Sequence, residues 1–504
     1  MPHSPARLIP EGFSAIPSLD AVPFVSVVGD LDASKLDTIA LLVTSDGELP
    51  PGIALDRKQL ARAGFEAEPG STLVLPGGER PRVLVGLGPS GELDVTALRD
   101  AAAAAGRATT RFSRVGVRDP GVGTSDAAAA GQALAEGVIL SRYRYSPLQR
   151  APKDTRLERV ELLIDGIDRV AASRGVRAGV ITARATNLAR DLSNTPPGHL
   201  TAADLADVAV ALGSRFGFDV EVFDRAQLIE LGCGGLLGVN AGSAEEPRMV
   251  KLHYSPPEGS TGHLGLVGKG IMYDSGGISL KPSDPMHLLM TMDMGGAASV
   301  LATFTALRAL RATATVTGWL MCTDNMPSGS AYKLGDVLTA RGGTTVEVKN
   351  TDAEGRLALM DALVLANEEG VDAIVDIATL TGAALMALGP SIAAVIGNDA
   401  TLLRRVKEAA ATADEPVWEL PLEKRYRKQL DSDVADISNL GGPYAGATTA
   451  ALFLAEFVGE TPWAHLDIAG TMQSEKDESW RSKGATGFGT RILIDVARAF
   501  QPFR

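Results

Sequence analysis

The chain has 504 residues, of which 45% are hydrophobic and 22% charged, and its net charge at pH 7 is −13. This length allows two or three domains, and the acidic balance disfavours a general binding surface for nucleic acid or for an anionic membrane. Two cysteines, Cys233 and Cys322, are too few for a disulfide framework, so we expect a cytoplasmic protein.

The first third of the chain predicts a small α/β domain. A strand is expected at 82–88, and a helix from about 95 to 111 should begin at Asp94, whose side chain suits an N-cap. Three elements follow in this order: a helix over 126–141, a strand over 159–164 and a helix over 168–193. The paired prolines Pro196 and Pro197 end that last helix. We therefore expect an N-terminal domain over 1–167, a linking helix over 168–195 and a C-terminal domain over 196–504.

The C-terminal part alternates apolar runs with helical patterns. Strands are predicted at 264–267, 314–321, 344–348 and 373–377, and helices at 297–310 and 357–367. Continuous apolar strands between helices indicate a sheet covered on both faces. A further apolar stretch, 374–397, contains Asp376 and Pro390 and is interpreted as buried core rather than a membrane span. The predicted fold class is α/β, with a small N-terminal α/β domain and a larger α/β domain whose mostly parallel central sheet is covered by helices.

Polar residues cluster where these strands are expected to end. The segment NTDAEGRL at 350–357 spaces Asp352, Glu354 and Arg356 two residues apart, so an extended backbone would project them to one side. It follows the run 344–348, and ligands of parallel sheets lie at the carboxyl ends of strands. Two adjacent carboxylates need a cation or a shared proton, so a metal site is the first interpretation.

Two more segments extend this cluster. Lys269, Asp274 and Lys281 follow the run 264–267, and Asp293 precedes a predicted helix. Four converging carboxylates would repel one another, whereas two divalent ions about 4 Å apart would neutralise them and hold a reactive hydroxide. Oxygen-rich ligation suits Mg²⁺ or Mn²⁺, and Zn²⁺ also accepts carboxylates. The chain contains neither HExxH nor GxSxG, which excludes a histidine-based zinc protease and a serine hydrolase of the nucleophile-elbow type.

These segments resemble the leucine aminopeptidase family, cytosolic exopeptidases with a dinuclear metal site. The family signature NTDAEGRL is intact at 350–357 and is highly specific. Further matching segments are GKGIMYDSGG at 268–277, NMPSG at 325–329, DIATLTG at 376–382, HLDIAG at 465–470 and GATG at 484–487. The resemblance covers roughly residues 195–495, and before that it is only architectural.

The resemblance implies a role for each clustered residue. The looser, exchangeable metal would be bound by Lys269, Asp274, Asp293 and Glu354, and the tighter one by Asp274, Asp352 and Glu354. Lys281 would polarise the scissile carbonyl and stabilise its oxyanion, and Arg356 would hold a bicarbonate ion as general base. The pocket for the first side chain of the substrate would be lined by Met290, Thr379, Gly382, Ala469 and Met472.

The implied activity is the release of N-terminal residues from peptides, broad but preferring leucine, by attack of a metal-bridged hydroxide. The resemblance implies two divalent ions per subunit, Mn²⁺ or Zn²⁺, with Mg²⁺ or Co²⁺ also acceptable. It also implies a homohexamer that acts on peptides and binds neither nucleic acid nor a membrane. The chain departs from the family in one loop. Lys281 and Asp293 are twelve residues apart, one more than is common, and Thr291 stands where the family commonly has lysine.

Other functions stay open beside this one. The same site could serve a specialised dipeptidase or amidase, or the fold could serve as an oligomeric DNA-binding scaffold without catalysis. A dinucleotide-binding oxidoreductase is suggested by GLGPSG at 86–91, which matches GxGxxG. We reject it because the predicted helix begins past the third glycine, and no acidic residue follows a second strand where the ribose partner is expected.

Overall fold

The computed structural model describes residues 9–51, 53–76, 80–151 and 155–502. The chain forms two compact units. The smaller unit consists of Ile16–Asn187 and Ser474–Gly484, and the larger of Leu188–Gln473 with the described residues before Ile16 and from Ala485 onward. Each unit combines helices with a largely parallel sheet, so the predicted α/β fold class is confirmed. The domain boundaries at 167 and 195 stay a prediction.

Strands and helices alternate in the smaller unit. In chain order they are β1 (Phe24–Val27), β2 (Thr38–Thr44), α1 (Arg57–Arg62), β3 (Thr72–Leu75), β4 (Arg82–Gly88), α2 (Val95–Ala108), β5 (Arg114–Asp119), α3 (Ala127–Ser141) and β6 (Arg159–Ile164). Helix α4 (Arg169–Asn194) follows and leads along the chain into the larger unit.

The sheet of the smaller unit has the order β1-β6-β5-β2-β4-β3, and each neighbouring pair is parallel except β3 with β4. The alanine-rich helices α2 and α3 pack together, and both contribute buried residues to its core. Asp94 and Asp126 accept hydrogen bonds from the first-turn amides of these helices, which confirms the predicted start at Asp94. Helix α2 ends at Ala108, three residues before the expected end.

The larger unit continues the alternation over a longer stretch of chain. Its elements are α5 (Ala202–Phe216), β7 (Asp219–Phe223), α6 (Arg225–Glu230), α7 (Gly234–Asn240), β8 (Arg248–Tyr254), β9 (His263–Asp274), α8 (Pro285–Leu288), α9 (Gly295–Leu307), β10 (Thr315–Asn325), β11 (Val337–Thr339), β12 (Thr345–Glu347), α10 (Glu354–Glu368), β13 (Ala373–Ala378), α11 (Gly382–Leu388), β14 (Ala393–Gly397), α12 (Ala400–Ala413), β15 (Val417–Glu419), β16 (Ile437–Ser438), α13 (Gly446–Ala455), β17 (Trp463–Asp467) and α14 (Thr490–Arg498). The two-residue strands β18 (Gln473–Ser474) and β19 (Gly484–Ala485) each include one residue that belongs to the smaller unit.

The central sheet of this unit has eight strands in the order β15-β14-β17-β13-β9-β10-β8-β7. Its middle strands β17, β13, β9 and β10 are parallel, and β7 and β8 add antiparallel strands at one edge. Helices α9 and α10 both pack on β9. The strand predicted at 264–267 is longer than expected, because β9 continues to Asp274 and carries Lys269 within it.

The strand before the signature segment lies outside the central sheet, so the expectation that it belongs to the mostly parallel central sheet was wrong. Strand β12 pairs with β11 and β16 in a separate three-stranded sheet. The physical reason is that this strand is short and contains few apolar residues. Val346 is buried but its neighbours in the strand are only half-buried, so β12 does not offer the two apolar faces that a central strand needs.

One helical stretch among the described residues, Pro285–Leu307, is long and apolar enough to cross a membrane by length and composition. Its most apolar window is 72% buried inside the protein, which is typical of a core helix of a soluble protein. The stretch is therefore weak evidence for a membrane span.

Candidate metal centre

Two parts of the larger unit bring the predicted charged residues together. Strand β9 carries Lys269 and ends at Asp274, and helix α10 begins at Glu354 two residues after Asp352. Carboxylate oxygens of Asp274, Asp352 and Glu354 all lie within 4.8 Å of one another. Carboxylates so close repel unless a cation lies between or beside them, so this cluster has the donor set of a hard divalent cation.

Lys269 occupies the centre of the buried part of this cluster. Its Nζ lies 2.9 Å from Asp293 Oδ2 and 2.8 Å from Glu354 Oε1, and it donates to the carbonyl of Thr379 at 2.8 Å. Burial lowers the pKa of Lys269, but Asp293, Glu354 and Asp274 outweigh burial and raise it above the usual value. Lys269 is therefore an ammonium without metal, and it has to lose a proton before it can be a ligand.

Lys281 lies at the other side of the cluster and is less buried. Its Nζ is 2.9 Å from Asp274 Oδ2 and also forms an ion pair with Asp352. Burial opposes its charge, but the surrounding carboxylates raise the pKa of Lys281 overall. The Lys281 ammonium is therefore charged at neutral pH and lies beside the carboxylate cluster on its less buried side.

Two of the carboxylates are held in an unfavourable environment. Burial, followed by the charge of Asp274, raises the pKa of Glu354 to about 8, and burial raises the pKa of Asp293 to about 6. The Oε2 atom of Glu354 is buried and has no hydrogen-bond partner within the described ranges. A buried oxygen without a partner, next to two other carboxylates, fits a site that is completed by a metal ion.

Arg356 lies on the first turn of α10 and is nearly buried. Its Nη1 donates to the carbonyl of Asn439 at 2.8 Å, whereas its Nε has no hydrogen-bond partner in the part of the chain that the structure describes. Burial lowers the pKa of Arg356 to about 10, so the guanidinium stays charged at neutral pH. A buried cation with a spare donor suits a small anion.

One local expectation was wrong. Asp352 and Glu354 do not share one side of an extended segment, because the chain turns at Thr351 and Asp352 and is helical from Glu354 onward. Asp293 is not a helix N-cap: α9 begins after Met294 without a side-chain cap, and the Asp293 carboxylate instead accepts from Thr379 Oγ1 at 2.5 Å. The competing ion pair with Lys269 explains why this carboxylate turns away from the helix.

A cavity of about 240 Å³ opens beside the carboxylates. All five residues predicted for the substrate pocket line it: Met290, Thr379, Gly382, Ala469 and Met472. The cavity is also lined by residues that sequence reasoning did not select, namely Met286, Leu289, Met292, Leu385 and Gln473. One end of the cavity is therefore ionic and the rest is largely apolar.

Two buried residues that sequence reasoning did not assign to the site hold its parts in place. Asp467 accepts from the amides of Leu380 and Ala469 at 3.1 and 3.2 Å, and from Thr381 Oγ1 at 2.6 Å, so it joins two walls of the cavity. Asn439 bonds the signature segment. Asp467 belongs to the matched segment HLDIAG, which was a usable signal, whereas no signal marked Asn439.

Comparison with known proteins identifies the family. The model of the cytosol aminopeptidase family, catalytic domain, matches residues 187–494, and that of the N-terminal domain of the same family matches residues 55–152. A probable cytosol aminopeptidase of Alkaliphilus metalliredigens is 40% identical over 448 residues, which cover 87% of this chain and 89% of that protein. One of Streptomyces griseus is 43% identical over 473 residues, covering 90% of each.

Solved structures agree with the sequence relatives. The bottromycin maturation enzyme BotP in complex with Mn is 40% identical, with a TM-score of 0.83, and the match covers 92% of this chain and 99% of that one. A mutant of tomato leucine aminopeptidase is 31% identical, with a TM-score of 0.85 over 94% and 96% of the two chains. The resemblance drawn from the sequence is confirmed, and the chain belongs to the cytosol aminopeptidase family of metal-dependent peptidases.

Proposed function

We propose that this chain is a dinuclear-metal aminopeptidase that releases N-terminal residues, with a preference for leucine, from peptides. The observation that carries the proposal is the carboxylate cluster of Asp274, Asp352 and Glu354 at the end of a cavity whose other walls are largely apolar. Such a cavity can accept one apolar side chain while the ionic end binds the polar groups of the peptide terminus.

The charged residues divide into two metal sites in this proposal. Asp274 and Glu354 would be shared, Lys269 and Asp293 would complete the exchangeable site, and Asp352 the tighter one. Divalent ions held there would supply Lewis acidity and lower the pKa of water. Lys269 already forms ion pairs with Asp293 and with Glu354, so metal binding would exchange these ion pairs for ligand bonds. Mn²⁺ or Zn²⁺ is the proposed pair, with Mg²⁺ or Co²⁺ acceptable on the same donors.

Lys281 and Arg356 would take part in catalysis without binding a metal. Lys281 lies at the open side of the cluster, where its ammonium would stabilise negative charge that develops on the scissile carbonyl oxygen. Arg356 would orient a bicarbonate ion through its spare donors, placing a general base near the attacking water. The hydrogen bond that Arg356 donates to the carbonyl of Asn439 keeps the guanidinium in one orientation.

The substrate preference follows from the cavity lining. Met290, Met472 and the small Gly382 and Ala469 leave room for a branched aliphatic side chain, and methionine side chains adapt to its shape. A peptide whose first residue is charged would lose hydration there without gaining a partner. We therefore expect leucine to be preferred over aspartate and lysine.

Hydrolysis of leucine p-nitroanilide tests the proposal. Purified protein dialysed against a chelator should be inactive, and it should recover on addition of Mn²⁺ or Zn²⁺, with two ions bound per chain by metal analysis. Glu354→Ala and Lys281→Ala should each lose activity, whereas a serine-directed inhibitor should have no effect. Full activity in the chelator, or in both variants, would contradict the proposal.

A specialised peptidase is the second candidate. It is favoured by the 40% identity to a bottromycin maturation enzyme, a protein whose name indicates a role in the maturation of one particular product. A panel of dipeptides, tripeptides and longer peptides that share an N-terminal leucine separates the two. Similar kcat/KM across the panel indicates the broad aminopeptidase, and activity confined to one length or sequence indicates the specialised enzyme.

The cellular setting is part of the same proposal. We propose a cytoplasmic homohexamer acting on peptides, and the mass of the native particle measured by light scattering would test the oligomer. A mass of one or two chains would contradict it.

A further inference from the structure

We propose that Asn439 is a positioning residue that holds the whole signature segment in its metal-binding conformation. Its side chain is fully buried, at 0% exposure, and lies directly after strand β16. No part of the predicted metal or substrate site includes it, and it lies more than eighty residues along the chain from the segment that it contacts.

The position of Asn439 follows from the small three-stranded sheet. Strands β12 and β16 are parallel, with Val346 opposite Ile437 and Glu347 opposite Ser438. The main-chain N–H of Asn439 donates to the carbonyl of Glu347 at 2.9 Å. The pairing of the two strands ends at this bond. The side-chain amide of Asn439 then takes over the pairing that a main-chain peptide group would otherwise provide.

The amide group of Asn439 bonds both the beginning and the end of the turn. Its Oδ1 accepts from the backbone N–H groups of Lys349 and Asn350 at 2.8 and 3.3 Å. Its Nδ2 donates to the carbonyls of Asn350 and Ala353 at 2.7 and 3.4 Å. These contacts fix the backbone on either side of Asp352, the residue whose carboxylate approaches Asp274 and Glu354.

The same residue also acts on the start of α10. This helix has Ala353 at its N-cap, with no side-chain cap bond, and it begins with Glu354. The side chain of Asn439 donates to the carbonyl of the cap residue, Ala353. The main-chain carbonyl of Asn439 accepts from Arg356 Nη1 at 2.8 Å. One residue therefore orients Asp352, Glu354 and Arg356 together, although it is not among the residues that line the cavity.

Removal of the side-chain amide of Asn439 should lower the affinity for metal more than it lowers the stability of the fold. Partners that orient metal ligands typically contribute about 10- to 100-fold to metal affinity or activity. We expect Asn439→Ala to bind Mn²⁺ at least tenfold more weakly than the unchanged protein. We expect Asn439→Asp to lose as much, because it has the same size but turns an oxygen instead of N–H groups toward two carbonyls.

Asn240 provides a matched control. It is also buried, at 2% exposure, and its Nδ2 donates to the carbonyl of Glu245 at 2.8 Å and to Thr323 Oγ1 at 3.0 Å, away from the signature segment. Asn240→Ala should lower the thermal midpoint by a similar amount but leave Mn²⁺ affinity within twofold. This difference separates positioning from a general loss of stability.

The experiment measures Mn²⁺ binding by calorimetry and amide hydrogen exchange of the 349–356 segment in metal-free protein. At least tenfold weaker binding in both Asn439 variants, with faster exchange in that segment and normal binding in Asn240→Ala, supports the inference. Unchanged affinity in either Asn439 variant, or equal weakening in Asn240→Ala, overturns it.

The metal readout rests on the proposed function, and the exchange readout does not. If the unchanged protein binds neither Mn²⁺ nor Zn²⁺, the proposed function fails, and exchange alone decides the role of Asn439. Faster exchange over 349–356 in both variants then supports positioning, and unchanged exchange overturns it.

Discussion

Replacement of Asp467 by alanine should reduce the ability of the enzyme to distinguish leucine from alanine substrates. The Asp467 carboxylate is 1% exposed and accepts from the amides of Leu380, Thr381 and Ala469, and from Thr381 Oγ1. These bonds hold together two walls of the cavity, one at 379–382 and one at 469–472. Without the carboxylate, three N–H groups, one buried and two half-buried, lose their acceptor and the walls can separate.

The size of the effect follows from the cavity. A leucine side chain has three more carbon atoms than alanine, and at about 0.8 kcal/mol for each buried carbon a well-packed wall contributes about 2.4 kcal/mol, or about 50-fold in kcat/KM. Each carbon that becomes hydrated lowers this ratio about fourfold. The three unpaired N–H groups should also cost about 3 kcal/mol of unfolding free energy, at about 1 kcal/mol each.

The assay is kcat/KM for leucine and alanine p-nitroanilides in Mn²⁺, compared between the unchanged protein and two variants. Asp467→Ala should lower the leucine-to-alanine ratio at least fourfold. The control is Asp376→Asn, whose carboxylate is also buried but bonds Trp463 and His465 instead of a cavity wall. It should change the thermal midpoint and keep the ratio. A folded Asp467→Ala protein with an unchanged ratio would refute the reasoning.

Three further predictions come from the described contacts. Glu354→Gln should abolish the rise in thermal midpoint that Mn²⁺ causes in the unchanged protein. In chelator at pH 8 the variant should be more stable than the unchanged protein. Burial raises the folded pKa of Glu354 to about 8, so the unchanged protein loses stability as the pH rises from about 4.5 through that value. A variant that is less stable than the unchanged protein in chelator at pH 8 would contradict this. The unchanged protein should lose up to about 4 kcal/mol of stability as the pH rises from about 4 to about 7, because burial raises the folded pKa of Asp119 to about 7. Asp119→Asn should lessen this loss. Equal pH profiles of the thermal midpoint in the two proteins would count against it. Gly296→Ala should lower the thermal midpoint by several degrees, because the added Cβ would lie 2.1 Å from the carbonyl oxygen of Ile377. Its control is Gly382→Ala, whose added Cβ would meet no atom of the described residues within 4 Å. Similar midpoints in both variants would show that α9 can shift.

Local signals were predictable from sequence and distant ones were not. Asp94 was recognisable as a helix start because its N-cap bond is to an amide three residues away. The charged residues of the site could be grouped because their sequence segments are distinctive, and the structure brings Lys269, Asp274 and Glu354 together. The turn at Asp352 was missed, because a spacing of two residues does not distinguish an extended segment from a turn that leads into a helix.

The small sheet shows why the rest could not be predicted. Strand β12 has three residues, and its partner β16 lies about ninety residues later in the chain with only two. Neither is long enough to show the alternation from which strands are predicted. The role of Asn439 depends on this pairing, so it could be found only once the register of the two strands was known.

The origin of the carboxylates in two different sheets has a consequence for metal release. Asp274 ends a long strand of the central sheet, whereas Asp352 follows the short strand β12 of the three-stranded sheet. Short strands open locally at lower free energy than long buried ones. A bound ion would therefore act as a cross-link between a stable and a labile part of the same unit. Local opening of the small sheet could then release the ion while the central sheet stays intact, and amide exchange should show β12 protected only when metal is present.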